Sequence, residues 1–395
     1  MIKSGPVYRQ MKNCEVNFRM LLMCIQYTKE RSGISMVNAG RQIEIDIAKG
    51  IAIICMVLVH TTEYFYNGES SLANSVIEFL GSPPAAPVFM LALGVGIVYS
   101  RNSSPEKLAL RGCKMFILSY VYNFFVYALP HLIRFFSDGK KEHLSVAFEE
   151  FSNVDILQFA SLAFLTFALA KKLNWKAPHL ISYGIVVTLA GEAITNGVSF
   201  EDSSFVYVVG LLVGSSEVSF FPYCSWIIFP IAGYIFGNVL MECEDKKKLY
   251  TNIAMICIPG YIAMMINSFV MKIDFGQITG EYQTSYYHMG IYGDVCMLFF
   301  AFGWLSICYL ISSAIPDMVI EKLKELSKNI TKIYVIQYVL IIYAYVFIAN
   351  EEIELNLAFT LFASAMVFII SSKIAGLRPV IPALKIRKVD SNRAI

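Results

Sequence analysis

The sequence predicts an all-α, polytopic integral membrane protein of about ten transmembrane helices, and three observations carry that prediction. Hydrophobic residues make up 56% of the 395 and charged residues only 16%, with a mean hydropathy of +0.58; soluble domains carry about 25% charged residues. Apolar runs close to the ~20 residues that cross a bilayer recur along the whole chain. Lysine and arginine collect in alternate connecting segments, as the positive-inside rule expects of cytoplasmic loops.

The apolar runs lie at 47–66, 86–100, 113–133, 154–171, 178–195, 220–240, 249–271, 290–313, 332–349 and 355–372. The first follows the polar stretch "RQIEIDIAKG". Three prolines open the second, and Gly94 and Gly96 within it allow close helix approach. The third opens with "LALRGCKMF", and the fourth with "NVDILQFASLAFL". The sixth, "FFPYCSWIIFPIAGYIFGNVL", sets Trp226 at the outer interface and spaces Gly233 and Gly237 for tight packing. An eleventh run, "FVYVVGLLVG" (205–214), is too short to cross and reads as a half-helix or re-entrant piece packed on protein.

With the N-terminus inside, twenty-eight of the 32 Lys and Arg fall in inner segments. The other four are Arg134, Lys140, Lys141 and Lys272. Both termini are therefore expected in the cytoplasm. The organisation that follows is a basic N-terminal segment (1–45), a membrane domain (46–372) and a basic tail (373–395). Within the N-terminal segment "MLLMCIQY" (20–27) is too short to span; it reads equally as an interfacial anchor or as the product of an upstream start codon, with Met36 the alternative start. No cleavable signal peptide is apparent.

A net charge of +2 gives no reason to expect a nucleic-acid partner. The nine cysteines form no C-x-x-C pair, so neither a zinc site nor a disulfide framework is indicated, and no metal is expected. Buried thiols are the simpler reading.

The chemistry-bearing residues start in the first run. On a helix, the eleven residues from Lys49 to His60 return to within about 20° of one face and separate the two by ~16 Å. Asp46 and Glu63 lie three residues beyond each, near the same stripe. A charged side chain near mid-bilayer costs roughly 2.5–3.5 kcal/mol, so this stripe should face a cavity or a partner. Taken singly, Lys49 reads as a snorkelling boundary residue and His60 as a packing histidine; on one face, with Glu63 placed to orient the imidazole, the functional reading prevails. Arg111 and Lys114, three apart at the start of the third run, present two cations suited to gripping phosphates, or two ordinary inner-boundary residues. Asp155, Gln158, His288 and Asp294 fall at outer helix ends, and Tyr334 and Gln337 lie within the ninth run. Each of these reads more readily as structural when taken alone.

Asp46, Lys49 and His60 in the first run, with Arg111-Gly-Cys-Lys114 in the third, resemble acyltransferase family 3, the membrane O-acyltransferases within the transmembrane acyltransferase superfamily. The family's Arg-x-x-Arg carries lysine here in its last place, a point charge where a guanidinium fork would stand. "PAAPVFMLALGVGIVYSR" is also similar to the heparan-α-glucosaminide N-acetyltransferase branch. The resemblance covers about residues 41–372. It implies transfer of an acyl group, usually acetyl from cytoplasmic acetyl-CoA, to a hydroxyl of a cell-surface or exported carbohydrate, in the bacterial plasma membrane. Lys49, Arg111 and Lys114 would then meet the donor's phosphates. His60 would act as general base or transient acyl carrier, assisted by Glu63, and Asp155, Gln158 and His288 would meet the acceptor. Lipid, acyl-CoA and a glycan or glycolipid are the implied partners. A transporter or flippase of a lipid-linked sugar is the alternative, although no internal repeat supports it.

Overall fold

The computed structural model describes residues 37–198, 205–214, 219–273, 286–349 and 352–377. The expectations for 20–27 and for most of the C-terminal tail lie outside these residues. The chain is an all-α polytopic membrane protein, and among the described residues its only β features are isolated bridges, Tyr66 with Leu355 and Val154 with Ser219.

Helix α1 spans Ile43–Phe65, α2 Ser71–Gly81 and α3 Ala86–Tyr99. Helix α4, Pro105–Asn123, runs through a π-helical turn, Phe124–Ala128, into α5, Leu129–Asp138. The short α6, Lys141–Phe151, precedes α7, Ile156–Lys172, and α8, Ala177–Gly197. A single turn α9, Val206–Val209, leads to α10, Tyr223–Trp226, and α11, Ile228–Glu242. The remainder is α12, Lys246–Met271; α13, Ile291–Ile311; α14, Asp317–Phe347; and α15, Leu357–Gly376.

Each of the ten predicted apolar runs falls on helix. Eight helical stretches are long and apolar enough to cross a membrane: Leu72–Tyr99, Pro105–Asp138, Ala177–Gly197, Tyr223–Glu242, Lys246–Met271, Ile291–Ala314, Asp317–Phe347 and Leu357–Gly376. The first and fourth runs, α1 and α7, stand outside those eight; α7 has 17 residues and α1 carries Glu44, Asp46, Lys49 and Glu63. The run at 205–214 is reduced to one helical turn, tied down where Tyr223 N–H donates to Leu211 O (3.0 Å) and Cys224 N–H to Leu212 O (2.8 Å).

Local chemistry sets the helix starts. Ser104 accepts from Lys107 N–H ahead of Pro105, Asp245 from Lys248 N–H ahead of α12, and Asn356 from Phe359 N–H ahead of α15; each satisfies an amide with no partner inside the helix. Where the π-helical turn meets Pro130, which has no N–H to offer the Phe125 carbonyl, the distant Tyr343 hydroxyl donates to that carbonyl at 2.8 Å.

Helices α3 and α11 pack closely because Gly94 and Gly233 bring their backbones together. A Cβ on Gly94 would collide with the Pro230 carbonyl, and one on Gly233 with the Leu91 carbonyl. Gly237 leaves 3.1 Å to Val98, whereas Gly96 faces open space. Trp226 is not the interfacial residue the sequence suggested. It is fully buried, packed edge-to-face against Phe221 and Tyr286 and tilted against Phe229, with its indole N–H donating to Tyr287 O (2.9 Å); the polar end of the ring finds a partner inside the protein and needs no headgroup.

Candidate active site

The start of α1 is fixed by charge pairing. Arg41 binds Asp46 through two nitrogens, one of them Nη2 to Oδ1 at 2.7 Å, and Ser327 Oγ donates to the same Oδ1 at 2.7 Å. The Asp46 hydrogen bond raises the Arg41 pKa above its ordinary value. Glu44, also buried, accepts from Lys246 Nζ and the Tyr250 hydroxyl, each at 2.8 Å. These contacts join α1 to α12 and α14 and fix the rotation of α1. Lys49, one turn on from Asp46, donates to Ser327 O at 3.4 Å.

Fixed in this way, α1 turns its polar stripe into a cavity of about 910 Å³. Lys49, His60 and Glu63 line it, and so do Arg111 from α4, Asp155 ahead of α7 and His288 ahead of α13. Of the residues expected to meet donor or acceptor, Lys114 and Gln158 do not. Lys114 is exposed elsewhere on α4, and Gln158 is fully buried. Gln158 closes a capping box in which its Oε1 accepts from Asp155 N–H (3.2 Å) while its Nε2 donates to Asn153 O (3.1 Å). Asp294 is also buried, away from the cavity lining.

The imidazole of His60 is held from two sides. Gln337 Nε2 donates to Nδ1 at 2.8 Å, and the Tyr338 ring packs 4.4 Å away, tilted by 33°. Tyr334, Gln337 and Tyr338 share one face of α14 at spacings of three and four residues. Glu63 lines the cavity but makes no hydrogen bond to His60 among the described residues. Asp155 accepts from the Tyr334 hydroxyl and, through Oδ1, from Ile156 N–H at 2.6 Å. Tyr122, just before the π-turn, and Tyr127, within it, complete an aromatic wall against Tyr334 and Tyr338, with their hydroxyls 3.3 Å apart.

Arg111 places its guanidinium carbon 4.2 Å from the centre of the Phe164 ring, a cation–π contact that fixes the charge at the cavity edge. At the opposite end Glu78, Glu149, Glu150 and Asn153 join the lining. Burial pushes the Glu150 carboxyl up to about 7, with the Asn153 amide pulling it down and the Glu149 charge pushing it further up. Burial lowers His288 as well, although its ring nitrogen lies 2.7 Å from Ser219 O. Tyr338, Glu78, Glu149, Glu150 and Asn153 were not singled out from the sequence. The one local signal among them is the polar stripe of α14, interrupting an otherwise apolar run.

A half-buried histidine set between a cationic end and an acidic end defines the class of site: one suited to moving a proton or an acyl group within a membrane protein. The match with known families agrees. Residues 42–375 match the family model of the acyltransferase domain of acyltransferase family 3, and the chain belongs to that family. Comparison with curated proteins and with solved structures gave no match.

Proposed function

We propose that this membrane acyltransferase takes an acyl group, acetyl in the simplest case, from cytoplasmic acyl-CoA and transfers it to a hydroxyl of a cell-surface or exported carbohydrate. Residues 46–372 form the catalytic domain with ten crossings and both termini cytoplasmic, in a bacterial plasma membrane. The observation that carries the reading is the placement of Lys49, Arg111 and His60 on one cavity. Cations near one end suit the anionic donor, and His60 lies about three helical turns deeper than Lys49.

In the reaction the acceptor oxygen attacks the thioester carbonyl while His60 Nε2 takes the hydroxyl proton. The carbon–sulfur bond breaks, and the departing thiolate receives that proton from His60. The products are an ester and the free thiol of CoA. Nε2 is a free base only when Nδ1 carries the neutral ring's proton, and Gln337 governs this. With Nε2 of the amide toward the ring, the imidazole proton sits on its own Nε2; a half-turn of the amide presents Oε1 to Nδ1–H and frees the base. The imidazolium formed next needs the same acceptor. Gln337 is thus a positioning residue. In the described structure its Oε1 is buried with no donor, so the amide has no competing partner to break when it turns.

The test is release of free thiol from acetyl-CoA by the full chain purified into lipid nanodiscs with a carbohydrate acceptor present. Thiol release matched by ester formation supports the reading. Acceptor movement across the bilayer with no donor consumed would overturn it in favour of a transporter.

A further inference from the structure

Acyl transfer needs more of this cavity than a base. When an oxygen nucleophile adds to a thioester, the carbonyl oxygen takes up a negative charge, and a fixed hydrogen-bond donor must meet it. Backbone amides often fill that role, but not beside His60. His60 and the residues that face it lie inside the unbroken helices α1 and α14, whose interior amides are spent on helical hydrogen bonds. At the start of α7 the Asp155 amide donates to Gln158 Oε1 and the Ile156 amide to Asp155 Oδ1. Ahead of α10 the Phe220 and Phe221 amides both donate to Val154 O, at 3.0 and 3.1 Å. Lys49 and Arg111 belong to the basic end of the lining, and the Gln337 amide is engaged with the imidazole.

Hydroxyls remain. In the aromatic wall of Tyr122, Tyr127, Tyr334 and Tyr338, three of the four are engaged: Tyr334 donates to Asp155, and those of Tyr122 and Tyr127 meet each other. Tyr338 differs. It lines the cavity, its ring packs against the imidazole of His60 at 4.4 Å, and its hydroxyl makes no hydrogen bond among the described residues. The ring is nevertheless held in place. Tyr127 and Tyr334 meet it edge-on, at 5.5 and 5.2 Å, so the hydroxyl is fixed in position without being spent. It falls within electrostatic reach of Glu63, three residues beyond His60 on α1. A phenol ordinarily titrates at about 10, so near neutral pH it keeps its proton and acts as a donor.

We propose that Tyr338 is a catalytic residue whose hydroxyl, held beside His60 with no partner in the protein, donates to the oxyanion formed from the thioester. The proposal rests on the reading of this cavity as the acyl-transfer site. As the acceptor oxygen bonds to the carbonyl carbon, the carbonyl π pair moves onto its oxygen. The Tyr338 O–H hydrogen-bonds that oxygen and keeps its own proton. When the carbonyl re-forms, the carbon–sulfur bond breaks, the thiolate takes the proton held by His60, and Tyr338 is released unchanged. The same oxyanion arises when water or His60 itself is the nucleophile, so the role does not depend on the route. Tyr338 thereby serves both halves of the step, its ring against the base and its hydroxyl on the developing charge.

The test is Tyr338→Phe in the full chain in nanodiscs, a change that keeps the ring against His60 and removes only the O–H. Thiol release from acetyl-CoA is measured alone and with a mixture of glucose, N-acetylglucosamine and glucuronic acid as acceptor probes. Loss of one oxyanion donor costs about 10²–10³-fold, so kcat is expected to fall by that factor while the KM for acetyl-CoA holds. Slow hydrolysis of acetyl-CoA without acceptor falls by the same factor, because it passes through the same oxyanion. Rates are scaled to sites counted by equilibrium binding of a labelled, unreactive thioether analogue of acetyl-CoA, which removes any difference in the fraction folded. A kcat per site within about twofold of wild type overturns the oxyanion role and leaves the acyltransferase reading standing. A loss confined to the KM of the acceptor, with hydrolysis unchanged, overturns it equally, since Tyr338 would then only hold the sugar. Wild-type protein that binds the analogue yet releases no thiol overturns the proposal together with the acyltransferase reading.

Discussion

Gln337 Nε2 lies 2.8 Å from His60 Nδ1, joining two residues 277 positions apart across the contact between α1 and α14. That single hydrogen bond sets the tautomer of the only histidine on the α1 stripe. Replacing Gln337 with leucine removes a hydrogen bond worth about 1–3 kcal/mol, which is roughly fivefold to a hundredfold in kcat. The KM for acetyl-CoA stays near its original value, because Gln337 is remote from the basic end. Gln337→Glu, which keeps an acceptor on Nδ1–H, restores most of the rate. Steady-state kinetics on the three proteins checks this; an unchanged kcat in Gln337→Leu counts against the positioning role.

Arg111 and Lys114 are separable. Arg111 lines the cavity over the Phe164 ring, while Lys114 is exposed outside the lining. Arg111→Ala is expected to raise the KM for acetyl-CoA by about tenfold, the loss of a charge-assisted contact of 1.5–3 kcal/mol at most. Lys114→Ala is expected to change it by less than about twofold, as for an exposed charge. Donor titrations on both variants decide whether the pair acts together.

Much of this architecture was legible in the sequence, and where it was not the reason is physical. Apolar length located the helices, since a backbone in lipid has few other ways to satisfy its hydrogen bonds. The α1 stripe was legible because its spacing is local. What the sequence left open depends on distant pairings. Gln337 gained its position only when α14 packed on α1, and Gln158, which looked like a mouth residue, was taken by the cap of its own helix. Trp226 misled because an aromatic at a helix start in a membrane protein ordinarily marks the interface, yet here residues 286–287, far along the chain, fold over it. Glu149 and Glu150 sit on α6, an element too polar to register as part of a membrane cavity.

Helix packing supplies a stability prediction. Gly233 meets the Leu91 carbonyl backbone to backbone, so the α3 and α11 pair has no room for a methyl group. Gly233→Ala is expected to destabilise by about 1–3 kcal/mol through overpacking, whereas Gly96→Ala, which faces open space, costs far less. Thermal unfolding in detergent, followed by circular dichroism, compares the two.

Stability should also depend on Glu150. Its carboxyl titrates near 7 in the folded protein, above its ordinary 4.5, so the folded state binds the proton more tightly than the unfolded state does. The contribution is therefore full below about pH 4.5, declines as pH rises from there to about 7, and is flat beyond. The wild-type melting temperature falls across this window, and Glu150→Gln shows a shallower fall. An identical pH profile in the variant would show that Glu150 does not titrate with folding.

The central claim is that His60 carries the proton transfer of acyl transfer, and His60→Ala in lipid nanodiscs tests it most directly. Positioned acid–base catalysis contributes about 10²–10⁴-fold, so thiol release from acetyl-CoA should fall by at least a hundredfold while donor affinity and the helical circular dichroism signal persist. A folded His60→Ala protein that still releases thiol at the wild-type rate would contradict the account.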